Sequence, residues 1–203
     1  MVRSFVLAIV MFASPATLFP VQAVGEGSAS SPVGQNSTQE KSKNIKESHR
    51  TNDQPIKIIG DDDFIKKTED ALSKIKEKSP MSYAIVTNHI SIIRSVEKRS
   101  GIDAKAKYPT FYVGLTTSNS PLNWYASTIV HDAYHVKLYR DYTKEHKGEP
   151  VPPEVYSGRK AEDACLSAQE NFLREIKASV RYIQQMRDMR KIDYFSTHID
   201  RIW

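Results

Sequence analysis

Apolar positions in the central two-thirds of the chain recur at two periods, and the switching between them predicts an order of elements. Phe64, Ile65, Ala71, Leu72 and Ile75, together with Thr68, fall at helical spacing behind Asp61, Asp62 and Asp63. This predicts an amphipathic helix over 63–78 with acidic N-capping, ended by Pro80. Two β-branched runs follow, Tyr83 to Val86 and Ile90 to Val96, on either side of Thr87-Asn88-His89. They predict a hairpin, or a strand followed by a second element, with His89 exposed at the turn. Ser100-Gly101 closes that segment, and Tyr108 to Leu115 reads as a strand rich in aromatic and branched residues.

A longer helix comes next, with Ser120 as its cap, Pro121 at its first position and Gly148 closing it. Its first half, with Trp124, Tyr125, Ala126, Ile129, Val130 and Ala133, is apolar nearly all round. Its second half has a wet side made by Lys137, Arg140, Asp141 and Lys144. An extended loop holding Pro150, Pro152 and Pro153 leads to a second periodic helix beginning at Ser157. That helix is expected to continue through one apolar stripe, Ala161, Cys165, Ala168, Phe172, Ile176, Val180 and Ile183. Tyr194, Phe195, Ile199, Ile202 and Trp203 predict a short terminal docking helix. The sum is an α+β fold, mostly helical, with a small sheet packed against the helix of residues 121–148.

The N-terminal third follows a different logic. Residues 1–23 carry Arg3, the apolar run Phe5 to Phe12 and the small-residue site Val21-Gln22-Ala23, which together read as a secretory signal. Pro15 and Pro20 interrupt the apolar run, which is short for a bilayer span, so cleavage is expected, with an uncleaved anchor as the alternative. Residues 24–55 are rich in Ser, Asn, Gln, Lys and Glu, too polar to offset the entropy of ordering, and read as a disordered linker. The folded domain is then expected over 56–203, exported to a secreted or periplasmic location with no stable membrane span after cleavage. The net charge of +5 loses only Arg3 with the signal, and the basic residues alternate with acidic ones along helix faces. That pattern reads as solvated surface and argues against a nucleic-acid partner. Cys165 is the sole cysteine, so the domain is held by packing without an internal disulfide. On its apolar stripe it reads as a buried structural residue, with no chemistry assigned.

The candidate chemistry lies in the run HDAYH, residues 131–135. Spaced four apart on a helix, His131 and His135 leave one face and can share a metal ion. Asp132 is the one charged residue in the buried half of that helix, and a charge there needs a partner or a metal. Glu162, in the first turn of the following helix, can supply a carboxylate.

The run resembles the zincin signature HExxH, with Asp132 where zincins carry a glutamate, and AEDACLSAQ resembles the later helix that brings a third ligand in the gluzincin branch. The resemblance spans about residues 108–172. It implies a zinc site made by His131, His135 and Glu162, with Asp163 as the fallback for the third ligand. It also implies a water activated by the metal, Asp132 as general base, and the strand before the metal helix lining the cleft. Asp is shorter than Glu by about 1.5 Å of reach, which puts efficient catalysis in question. Tyr156, Arg159, His146 and His198 are candidate oxyanion donors, Tyr156 and Arg159 being better placed in the sequence.

The leading expectation is an exported zinc metallohydrolase, a peptidase acting on peptides or cell-wall crosslinks. The alternatives are a catalytically silent zincin-fold binding protein, and a metal-free periplasmic adaptor using the stripe from Ala161 to Ile183 as its partner surface. Oligomeric state is left open by the sequence.

Overall fold

The computed structural model describes residues 46–47 and 56–191. The expected signal, most of the linker, the terminal docking helix and His198 lie outside the described residues. Five strands form one mixed sheet in the order β1-β2-β3-β5-β4. They are β1 (Lys46–Glu47), β2 (Lys57–Gly60), β3 (Ile92–Val96), β4 (Gly101–Asp103) and β5 (Thr110–Gly114). The inner strands β2, β3 and β5 run parallel, and β1 and β4 pair antiparallel on the two edges. β1 falls within the stretch read from sequence as linker.

Seven helices are described: α1 (Asp62–Lys78), α2 (Pro80–His89), α3 (Leu115–Ser118), α4 (Leu122–Glu145), α5 (Pro153–Ser157), α6 (Arg159–Glu175) and α7 (Val180–Lys191). The domain is α+β and mostly helical, with a small sheet against α4, as the hydrophobic patterning predicts.

Register explains how the sheet supports α4. Ile58 pairs with Ile93, Ile93 with Phe111, and Phe111 with Ile102, so one apolar row crosses four strands on one face. Ile58, Ile93 and Phe111 are fully buried, in one core with Tyr125, Ala126, Ile129, Val130 and Ala133 of α4. Helix α1 closes the side of this core. Asp61 caps it by accepting from the Phe64 N–H at 2.9 Å, and Phe64, Thr68, Ala71, Leu72 and Ile75 make its buried stripe. The Thr68 hydroxyl donates to the Phe64 carbonyl at 2.8 Å, so the Tyr125 hydroxyl, also at 2.8 Å, donates to Thr68. Burial pushes the Tyr125 phenol well above its ordinary pKa, which keeps it a donor.

Two expectations from patterning fail, for different reasons. The run Tyr83 to Val86, expected as a strand, and the turn expected at 87–89 lie in α2. Ser79 and Pro80 supply a helix start, the Ser79 hydroxyl accepting from the Ser82 N–H, and Ser82 and Val86 share the buried face one turn apart. Packing one short helical face thus outweighs the β-propensity of Ile85, Val86 and Thr87. His89 is half-buried at the end of α2, its Nδ1 2.9 Å from the Ile85 carbonyl, and burial lowers its pKa.

The long stripe after residue 157 also divides. Lys177 adopts a left-handed conformation with φ 51°. The Ala178 N–H then bonds to the Leu173 carbonyl at 2.9 Å and the Lys177 N–H to the Arg174 carbonyl at 3.0 Å. This is a Schellman termination. The chain restarts at Ser179, leaving Val180 80% exposed while Ile183 is buried. No Gly or Pro marks this break in the sequence. Elsewhere α4 begins one residue later than expected, with Pro121 as its cap, and ends at His146. The Ser120 hydroxyl donates to the Thr117 carbonyl instead of capping α4.

Helix α7 is fixed to α6 through Glu170. Its Oε1 accepts from Arg174 Nη2 at 2.5 Å and its Oε2 from Arg190 Nη1 at 2.6 Å. Burial alone would raise this carboxyl, but the bonds and charges of Arg174 and Arg190 together outweigh it and hold the pKa below 4.5. A depressed carboxyl contributes stability that is present above its unfolded pKa and is lost as pH falls through its folded one. Glu170→Gln is therefore expected to cost about 1–2 kcal/mol at pH 7, read by urea denaturation, with the difference from the parent shrinking below pH 4.5. Lys177→Gly removes the left-handed penalty and is expected to add about 0.5–1 kcal/mol in the same measurement, after the entropy that glycine returns to the unfolded chain.

Candidate metal centre

The first half of α4 passes between the sheet, α1, α2 and α6, so residues on every side of it are buried, polar ones included. His131 is 1%, Asp132 2% and His135 4% exposed, and Glu162 on the facing helix α6 is 6% exposed. Gathering these ionisable groups in a low-dielectric interior costs several kcal/mol per charge unless opposite charge compensates it.

Their donor atoms converge. His131 Nε2 and His135 Nε2 lie 3.1 Å apart, and Glu162 Oε2 is 3.5 Å from the first and 3.6 Å from the second. Three donors at about 2.0–2.1 Å from a tetrahedral zinc would be spaced by about 3.3 Å. A point about 2.0–2.1 Å from all three atoms also lies about half an ångström above their plane, as at the centre of a tetrahedron. The triangle therefore fits a small divalent cation. The ring of His135 is oriented for this by the α5–α6 junction, because its Nδ1 lies 2.7 Å from the Tyr156 carbonyl. With Nδ1–H donated to that carbonyl, a neutral ring presents its lone pair at Nε2.

Cys165, one turn beyond Glu162 on α6, also reaches this place. Its sulfur and a ring nitrogen of each of His131 and His135 all lie within 4.8 Å of one another, and all three residues are buried. These groups could hold a metal ion. Patterning identifies Cys165 as buried, which it is, at 0% exposure. It assigns the thiol no place near the histidines. The available signal was its i+3 spacing from Glu162, which puts both on one side of a helix.

The other candidates separate clearly. Asp163 is exposed on the outer side of α6, leaving Glu162 as the carboxylate of this helix that faces the histidines. Tyr156 serves His135 through its main chain, while its ring packs edge-on to Tyr139 with centroids 5.2 Å apart. Arg159 is exposed. His146 is stacked on Tyr142, eleven residues and so about 16 Å along α4 from His135, too far to share its ion.

A cavity of about 280 Å³ opens beside His131 and Asp132. Thr116, Thr117, Thr128, Gln169 and Trp124 contribute to its wall, and no Lys or Arg does. It is a hydrogen-bonding recess that carries one carboxylate, Asp132, beside His131. Gln169 has a second task, donating to the Ser127 hydroxyl at 2.9 Å and so tying α6 to α4 at the level of the histidines.

Compared with protein-family models, with curated proteins and with solved structures, the chain matches none of them. The likeness to zincins accordingly rests on the residues of 108–172 themselves. Among the described residues no helix is long and apolar enough to cross a membrane.

The start of α6 sets where Glu162 stands, and Ser157, expected to begin this helix, closes α5 instead by donating to the Pro153 carbonyl at 2.7 Å. Gly158 takes the cap of α6, where a Cβ would meet the Glu154 Cα and carbonyl oxygen at 2.8 Å. These are backbone atoms, so the two helices would have to part. Gly158→Ala is expected to cost about 1–3 kcal/mol of stability, read by thermal melting, and to weaken metal binding measured by titration, because Glu162 and the Tyr156 carbonyl shift together.

Proposed function

We propose that this protein is an exported zinc-dependent hydrolase acting on peptides or cell-wall crosslinks, with His131, His135 and Glu162 as its zinc ligands. The observation that carries the reading is the triangle of two Nε2 atoms and one carboxylate oxygen, spaced by 3.1–3.6 Å, at the edge of a cavity. When bound in such a site, zinc acidifies water toward neutrality and polarises a carbonyl.

The chain's own residues supply the rest. Asp132 follows His131 directly and lines the same cavity, where it can accept a proton from a water and return it to a leaving amine. The threonine hydroxyls and the Gln169 amide suit an uncharged, amide-bearing substrate. An extended peptide has a place to pair at β4, which among the described strands pairs with β5 alone and forms a sheet edge. The strand of residues 108–115, expected to line the cleft, holds β5, which lies inside the sheet between β3 and β4. Lys105, two residues beyond β4, lies 5.4 Å from the centre of the ring of Tyr156, the residue whose carbonyl meets His135.

A catalytically silent zinc-binding protein is the second reading, favoured by the short carboxylate at position 132. The metal-free adaptor has less support, because Ala161, Cys165, Phe172 and Ile183 of its supposed partner surface are buried in the chain's own core.

Elemental analysis of the purified protein is expected to find one zinc per chain, and His131→Ala to lose it. A protein purified without zinc that also fails to take it up would refute the metal site. Within the hydrolase reading, Asp132→Asn abolishes turnover of a peptide panel, and Asp132→Glu raises it about tenfold or more by restoring the missing reach. Stoichiometric zinc with no turnover by the parent or by Asp132→Glu would select the silent reading.

A further inference from the structure

We infer that Cys165 is a metal ligand alongside Glu162, so that the centre carries four protein donors: two imidazoles, a carboxylate and a thiolate. This deepens the zinc reading above and rests on it. Glu162 and Cys165 leave α6 on the same side, one turn apart, just as His131 and His135 leave α4. Each of the two α6 residues approaches the histidine pair of α4, Glu162 Oε2 at 3.5 and 3.6 Å and the Cys165 sulfur within 4.8 Å. All four side chains are buried, with Cys165 at 0% exposure.

The Cys165 sulfur stands within 4.8 Å of both histidine donor atoms. Around zinc, a thiolate and an imidazole nitrogen are about 3.5 Å apart, so a movement on the order of 1 Å brings the sulfur into place. Such a movement is within the range of a side-chain adjustment.

The consequence concerns the fourth position. Zinc sites with four protein ligands are closed, whereas hydrolytic sites keep one place for water. With Cys165 coordinated, the resting centre is closed, and the thiolate has to yield before water can occupy that place. A thiolate in the set also shifts preference toward softer ions.

Cobalt(II) loaded into the metal-depleted full-length protein tests this directly, since a thiolate bound to cobalt gives a near-ultraviolet charge-transfer absorption that imidazole and carboxylate do not. The parent protein is expected to show the band at one cobalt per chain. Cys165→Ser is expected to retain cobalt through the other donors and lose the band, and Glu162→Gln to keep it. One cobalt bound by the parent without the band would overturn the assignment of Cys165 and leave the His-His-Glu site standing. Failure of the parent to bind cobalt or zinc at all would overturn both. The measurement on the parent needs no variant to fold.

Discussion

The physical constraint on which this structure turns is the burial of several ionisable side chains at the contact of α4 with α6. An interior that holds His131, Asp132, His135 and Glu162 at 1–6% exposure gives up several kcal/mol that an apolar set of the same volume would keep. Such an arrangement is stabilised by a cation more readily than by packing. The spacing of the donor atoms, close to the edge length of a zinc tetrahedron, suits a small divalent cation. The remaining elements can be understood by how they hold α4 and α6 in this relation.

The sheet provides the floor. The row Ile58, Ile93, Phe111 and Ile102 fixes the height of α4, and the Tyr125–Thr68 bond fixes its rotation against α1. On the other side, Gln169 to Ser127 sets α6 against α4, and the Tyr156 carbonyl aims the ring of His135. Glu170 with its arginines holds α7 across the back of α6.

Two demands on the centre pull in opposite directions. Tight, lasting occupancy favours all four donors, while hydrolysis favours an open place and a carboxylate with enough reach. Asp132 lacks a methylene of that reach, and the Cys165 sulfur stands within 4.8 Å of both histidine donor atoms. In the proposed hydrolase these two residues would favour holding a metal over rapid turnover. They are also the positions at which single substitutions move the balance.

Much of this was legible without coordinates. Helical spacing gave α1, the caps and a nearly all-apolar first half gave α4, the branched and aromatic run at 108–115 gave β5, and the i, i+4 histidines with a following carboxylate gave the triangle's members. Each of these is a local signal, written within a few turns of chain. The strand expected at 83–86 failed because propensity is weak against the burial of a helical face at Ser82 and Val86. The end of α6 was hidden because Lys177 takes a left-handed conformation that glycine normally marks. The place of Cys165 was decided only by the packing of α6 on α4, since a residue's side of a helix follows from its spacing, but what stands opposite follows from the fold. By itself the sequence determined which side chains share a face. Tertiary structure determined which faces meet, because donors more than twenty residues apart are brought within bonding range of one ion only when the apolar surfaces around them close.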